Sequence, residues 1–294
     1  MPDPERRQGS ALAGMALMAL ANAWFPVSDA ILQDLAKRYP VLQISWARYL
    51  FFFLITMLLV MAWRRERLAL RSARLPLHVL RGLVMMTSSI LFIAGLSFLP
   101  LADAVAILFL GPLVVVALSG AMLGEKPDWF CWTAVICGFA GTLLIVRPGF
   151  GGLGAAALLT IAAAVLWAVQ QILARKLSTT ERAVTGVFYS SLVGLAALSL
   201  VVPLQWTPPT PIDWGLMFVT GFVAAIGHWG VLKAIELAPI SILAPFSYSV
   251  MPSAVLIGYF VFGQVPDPVM LLGALIVCAS GLAVGYRERA GRGG

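Results

Sequence analysis

Charge is what this chain has least of. Lysine, arginine, aspartate and glutamate make up 11% of its 294 residues, against about 25% in a soluble domain. Histidine occurs twice, at His78 and His228, 150 positions apart. No His-Glu-x-x-His, no Gly-x-Ser-x-Gly and no carboxylate cluster is present, so the side-chain sets of zinc and serine hydrolases are missing and an intramembrane enzyme is a remote alternative. There is no Walker motif, which argues against ATP as the energy source, and no cofactor or metal is expected. The three cysteines, Cys131, Cys137 and Cys278, all lie in apolar runs, where a small hydrophobic role is expected and a disulfide is not.

What fills the chain instead is apolar sequence. Hydrophobic residues are 61% and mean hydropathy is +0.94. A membrane-spanning helix needs roughly 20 apolar residues, and candidate spans fall at about 10–35, 41–63, 77–99, 101–123, 128–147, 152–174, 183–203, 214–236, 239–263 and 267–286. The expected fold is all-α and integral to the membrane, with ten transmembrane helices. Arg6-Arg7, an apolar run and Ala-Asn-Ala at 21–23 imitate a signal peptide, but the run continues to Ile31 and cleavage is not expected.

The net charge of +7 has a topological explanation rather than a nucleic-acid one. With the N-terminus in the cytoplasm, the cytoplasmic side collects Arg6 and Arg7, the cluster Arg64 to Arg74, Lys126, the group Arg175, Lys176 and Arg182, and the C-terminal Arg287, Arg289 and Arg292. Only Lys37, Arg38 and Arg147 fall outside. The positive-inside rule then places both termini in the cytoplasm, and the inner membrane is the expected location.

The two halves resemble each other. Leu99-Pro100-Leu101 and Gly-Glu-Lys-Pro-Asp (124–128) recur 139 positions later as Ala238-Pro239-Ile240 and Gly-Gln-Val-Pro-Asp (263–267). Between them Gly111-Pro112 stands opposite Met251-Pro252, Gly82 aligns with Gly221, and AVICGFAG (134–141) lies against ALIVCASG (274–281). Two units of five spans, 10–147 and 148–286, therefore enter from opposite sides, an inverted repeat around a central cavity. Residues 1–9 and 287–294 are left as cytoplasmic tails.

Arg48-Tyr49 in the second span, LADAVAILFLGPLVVVALSGAMLGEKPD in the fourth and the five-plus-five organisation resemble the drug/metabolite transporter superfamily, most closely its EamA-type branch. The resemblance covers nearly the whole chain. It implies ten helices around a central cavity and transport by alternating access, with export of amino acids or related metabolites favoured. In that family the fourth and ninth spans end in a Gly-Glu-x-like turn. Gly124-Glu125 fits, whereas Gly263-Gln264 departs at the acid.

Charges inside spans mark a pathway, because burying one in lipid costs at least ~2.5 kcal/mol. Asn22, Pro26, Asp29 and Gln33 share one face of the first span, and Arg48 lies at a similar depth in the second. Asp29 and Arg48 are expected either to pair or to face one cavity, as a structural ion pair or as a substrate site. Arg48 suits a carboxylate, and Asp29 beside it suits a zwitterion. Trp24, Trp167 and Gln171, with Phe246 and Tyr248, are candidates to line the site, the two tryptophans either stacking a solute or filling core. Asp29 and His228 are the candidate proton carriers. Pro26, Pro112, Pro245 and Pro252 are the candidate hinges or gates. His78 and Arg81 read as a solvated extension of the basic loop, and Tyr39 and Trp206 as interfacial anchors.

The resulting expectation is a secondary transporter, exporter or exchanger, of a small amino-acid-like, carboxylate or zwitterionic metabolite. A flippase for lipid or lipid-linked substrates is the alternative, which a lateral opening would distinguish. The partners are that solute and the bilayer. Gly120-x-x-x-Gly124 and Gly281-x-x-x-Gly285 permit close helix contact within the monomer, with a homodimer as the alternative.

Overall fold

Apolar runs separated by Pro- and Gly-containing corners become helices that begin and end at those corners. In the computed structural model, residues 4–62, 72–123, 129–146, 154–178, 181–237, 246 and 249–290 are described, and all regular structure among them is helical. The helices are α1 (Pro4–Ala23), α2 (Phe25–Leu35), α3 (Val41–Ala62), α4 (Leu75–Leu96), α5 (Leu101–Leu108), α6 (Leu110–Leu123), α7 (Trp129–Val146), α8 (Gly154–Ser178), α9 (Ala183–Val201), α10 (Pro211–Leu237), α11 (Val250–Phe262) and α12 (Pro268–Ala290). Among the described residues six stretches are long and apolar enough to cross a membrane: Leu12–Leu35, Val41–Ala62, Leu75–Leu96, Ala156–Leu177, Val184–Gln205 and Pro211–Val231. Leu101–Val115, Val250–Phe262 and Pro268–Ser280 are shorter apolar helices.

Two spans read as continuous are broken, each two or three residues ahead of a proline. The first breaks at Trp24, where Pro26 has no N–H to offer the Asn22 carbonyl, and the fourth breaks at Phe109, where Pro112 has none for that of Leu108. At the end of α11, Gly263 takes the left-handed conformation (φ 64°). That conformation suits glycine, and it lets the Gln264 amide reach back to the Gly258 carbonyl at 3.0 Å. The Gln264 side chain then accepts a hydrogen bond from the Leu101 amide at 3.1 Å, capping α5. Glutamine at the position where the family pattern has an acid thus serves as a helix cap. The matching turn at 124–128 lies outside the described residues.

The packing pairs off in an ordered way. α4 lies along α8, as α1 lies along α10; α3 packs on α10, as α9 packs on α4; α7 packs on α12. Glycines set the closest of these approaches. A Cβ on Gly82 of α4 would come 2.8 Å from Val193 Cβ of α9, and one on Gly221 of α10 would come 2.4 Å from Phe51 Cβ of α3. Gly141 of α7 meets the Gly273 carbonyl of α12 at 2.8 Å from its missing Cβ. Small residues at such contacts let helices approach where lipid gives no hydrophobic drive to associate.

Candidate functional site

The second span brings its polar and aromatic residues to one face. Ser45, Arg48, Tyr49, Phe52 and Thr56 of α3 fall at i, i+3, i+4, i+7 and i+11, the spacing of a single helical stripe. On α2, Ser28, Asp29 and Gln33 are all buried. Asp29 is six residues inside the end of α2 and Arg48 seven inside the start of α3, so both lie about 10 Å down their helices.

Asp29 and Arg48 do not form an ion pair. Among the described residues neither makes a salt bridge or a hydrogen bond with its side chain, although the Arg48 charge acts on the Asp29 carboxyl. The direct-pair alternative is therefore corrected. On the same two helices Ser28 Oγ, Gln33 Oε1 and Ser45 Oγ are buried with no hydrogen-bond partner. Gln33 uses only its amide, which donates to the Leu96 and Leu99 carbonyls at 3.0 and 2.7 Å. In a membrane, polar groups left without protein partners are tolerated chiefly where water or a solute reaches them.

The wall of this region is aromatic. The His228 ring sits 5.3 Å from Phe25, edge-on, and 5.5 Å from Phe52, while Phe52 lies 6.2 Å from Tyr49. Tyr49 in turn seats its ring in a notch of α9, where a Cβ on Gly194 would come 2.4 Å from it. His228 donates its Nδ1 hydrogen to the Ala224 carbonyl of its own helix at 2.8 Å. Donation from Nδ1 assigns the neutral ring's remaining lone pair to Nε2. Helices α2, α3, α9 and α10 all contribute.

The other expected residues lie elsewhere. Asn22 turns back on its own helix, donating to the Met18 carbonyl at 2.8 Å. Trp24 is 56% exposed at the α1–α2 break. Trp167 does not meet it, and packs instead on Gly111, whose added Cβ would lie 2.6 Å from the indole. Gln171 is exposed and accepts from Gln170 at 2.8 Å. Phe246 packs beside Met18 and Ala234. Pro26 is buried at the first break, and Pro252 is exposed in the first turn of α11. Pro112 lies just past the second break, its side chain outside the described set, and Pro245 and Tyr248 lie outside the described residues altogether.

His78 and Arg81 correct the reading of a solvated loop. His78 is 1% exposed, 2.5 Å from the Glu181 carboxylate and stacked on Tyr189. Glu181 also accepts from Ser72 Oγ at 2.7 Å and from the Ala73 and Arg74 amides. Burial pushes the Glu181 carboxyl up, but the hydrogen bonds from Ser72 and His78 outweigh it and hold it below the usual range. Arg81 lies a turn further in and donates to Ser190 Oγ of α9 at 3.2 Å.

A second clasp closes the end where α2 turns into α3. Asp213 accepts from Arg38 (2.6 Å), Tyr39 (2.7 Å) and Thr210 (2.6 Å). The bond to Asp213, with burial behind it, holds the Tyr39 phenol above its ordinary range. Gln43 brackets Thr207, donating to its carbonyl at 2.6 Å and accepting from its amide at 2.9 Å. Tyr39 is thus a buried clasp residue rather than an interfacial anchor. Asp213 went unread in the sequence, although Thr210-Pro-Ile-Asp213 has the spacing of a helix-capping box.

Membrane-length helices around a polar interior, clasped at each end, are the features of a multi-pass membrane protein. The chain belongs to the EamA-like transporter family, of the drug/metabolite transporter superfamily, which matches it over residues 12–147 and again over 154–286. It is 26% identical over 279 residues to an S-adenosylmethionine uptake transporter of Rickettsia prowazekii (strain Madrid E), covering 95% of this chain and 94% of that protein. It is 31% identical over 217 residues to a riboflavin transporter of Vibrio cholerae serotype O1, covering 73% and 72%. A pseudopaline exporter, CntI, of Pseudomonas aeruginosa (strain UCBPP-PA14) is 25% identical over 284 residues, covering 94% and 97%. One solved crystal structure shares the fold with a TM-score of 0.66 at 17% identity, covering 96% of this chain and 98% of that one.

Proposed function

We propose that this transporter carries a small solute with an acid group, amino-acid-like or zwitterionic, and that Arg48 and Asp29 bind its carboxylate and ammonium ends. The observation that carries the reading is that both charges lie inside membrane-length apolar helices with no protein counter-ion among the described residues, and that the same two helices hold three buried oxygens without a hydrogen-bond partner. A charged group in that setting costs several kcal/mol unless something neutralises it, and a solute with opposite charges at its ends would neutralise both. His228, Phe25 and Phe52 would then flank its body.

The two family matches and the paired packing of α4 on α8 and α1 on α10 support an inverted repeat of two five-span units, with alternating access between them. Uptake and export both occur in the relatives' names, and exchange across the inner membrane accommodates either. The excess of arginine in the loops assigned to the cytoplasm supports cytoplasmic termini.

The test is ligand-induced thermal stabilisation of purified protein, wild type against Arg48→Ala. The panel contains S-adenosylmethionine, riboflavin, neutral and acidic amino acids, simple carboxylates and amines. A solute bound only to the native state raises stability by ~2.7 kcal/mol at a hundred times its Kd. Stabilisation by carboxylate or zwitterionic compounds that vanishes in Arg48→Ala is the expected result. Hits confined to amines, or hits indifferent to the substitution, would overturn it.

A further inference from the structure

Arg81 is the second arginine inside the bundle, and the site around Arg48 does not use it. It lies six residues into α4, entering from the end opposite to that from which Arg48 enters on α3. Among the described residues it has no acidic partner, and its Nε is buried with no hydrogen-bond acceptor. One bond, to Ser190 Oγ, is all that the described residues give its five donors.

Its surroundings are shaped to admit it. Gly186, Ser190 and Gly194 of α9 stand at i, i+4 and i+8, on one face. A Cβ on Gly186 would come 2.6 Å from Arg81 Nη1, so the guanidinium lies against bare backbone there. One turn beyond Ser190, the Gly194 notch receives Tyr49, the residue next to Arg48. The order along the bundle is therefore Arg81 on Gly186 and Ser190, then Tyr49 on Gly194, then Arg48. At the outer end of that ladder His78, stacked on Tyr189 and held by Glu181, covers Arg81.

We infer that Arg81, with Ser190 and the Tyr49 hydroxyl, is a second anion position on the transport path. It receives the carboxylate of the solute as that group leaves Arg48 and passes toward the His78–Glu181 clasp. Two cationic stations joined by a phenol hydroxyl let the acid group keep a hydrogen-bonding partner throughout its transit, where leaving one in hydrocarbon would be costly. The inference rests on the proposed acid-bearing solute, but its test does not need that solute to be known.

Ser190→Cys, in a full-length background with Cys131, Cys137 and Cys278 replaced by serine, is reconstituted in liposomes. The introduced thiol is labelled with the anionic sulfonatoethyl and the cationic trimethylammonioethyl methanethiosulfonates. The ratio of the two rates is compared in Arg81, Arg81→Lys and Arg81→Gln proteins, so the intrinsic reactivities of the reagents cancel. The expected result is a preference for the anionic reagent that falls by about fivefold or more in Arg81→Gln and persists in Arg81→Lys. An equal ratio in all three, or no labelling of the introduced thiol from either side, overturns the inference. Should Arg81→Gln fail to assemble, protection decides: glutamate at high millimolar concentration slows labelling of that thiol if Arg81 is on the path, and leaves it unchanged if Arg81 is only structural. Failure of these tests leaves Arg48-dependent stabilisation intact. Failure of that stabilisation shows in a different measurement.

Discussion

Gln43 and Glu181 perform matching tasks at opposite ends of the bundle. Gln43, near the start of α3, holds the backbone of Thr207 ahead of α10. Glu181, just ahead of α9, holds the backbone of Ala73 and Arg74 ahead of α4. Exchange α3 for α9 and α10 for α4, and one clasp becomes the other. The two are chemically unequal, since Glu181 is titratable and Gln43 is not.

That difference predicts a pH dependence for the Glu181 contact that the Gln43 contact lacks. The folded Glu181 carboxyl is held below its ordinary range, so its contribution to stability is complete above the unfolded value of about 4.3 and disappears as pH falls through the lower folded value. Wild type should be more stable than Glu181→Gln at neutral pH, with the gap closing in acid. Gln43→Ala should lower stability by an amount that does not vary over the same range. Thermal unfolding in nanodiscs from neutral pH down to the acid limit reads both; a Glu181→Gln gap that widens in acid would contradict the assignment.

Asp213 should be the costliest single residue of the other clasp. Its side chain is 2% exposed and receives three side-chain donors. Asp213→Ala strands the buried Tyr39 hydroxyl and leaves the Arg38 charge without its partner, and a loss of about 3–5 kcal/mol is expected. Arg38 is 45% exposed, so Arg38→Ala should cost no more than about 1 kcal/mol. Denaturation midpoints of the two variants should rank in that order.

Unpaired Asp29 makes an opposite prediction. A carboxylate with no partner destabilises the fold that buries it, so Asp29→Asn should leave stability unchanged or raise it by about 1–3 kcal/mol while lowering transport. Because no ion pair joins Asp29 to Arg48, exchanging the two charges in Asp29→Arg with Arg48→Asp should not restore activity. Normal transport by the exchanged protein would show that neither residue recognises substrate.

Much of the architecture is legible in the sequence, because membrane spans announce themselves by length and composition, and turns by Pro and Gly. Arg48 and Asp29 were visible for the same reason, as charges in apolar runs. His78, Arg81 and Glu181 were not: they sit beside a basic loop, where charge is ordinary, and only the neighbouring α9 makes them interior. The glycine notches on α9 have a readable spacing, but glycine is frequent in spans, so spacing alone did not single them out. Trp24 lies apart from Trp167, since it sits exposed at the break ahead of Pro26.

The glycine contacts separate what can yield from what cannot. At Gly194 the nearest atoms an added methyl group meets belong to the Tyr49 ring, a side chain that can shift without moving the backbone. Gly194→Ala should therefore cost about 1–3 kcal/mol and weaken transport by moving Tyr49. At Gly221 the same methyl group meets Phe51 Cβ at 2.4 Å and the Arg48 carbonyl and Phe52 amide at 2.9 Å, atoms fixed to the backbone of α3. No side-chain rotation relieves that clash, so Gly221→Ala should push α3 from α10 and abolish assembly, seen as loss of the monodisperse peak in size-exclusion chromatography. Gly215, with nothing within 4 Å of its missing Cβ, is the control, and Gly215→Ala should assemble as wild type does. If Gly221→Ala assembled and transported as well as Gly215→Ala, the close crossing of α3 on α10 that positions Arg48 would be wrong.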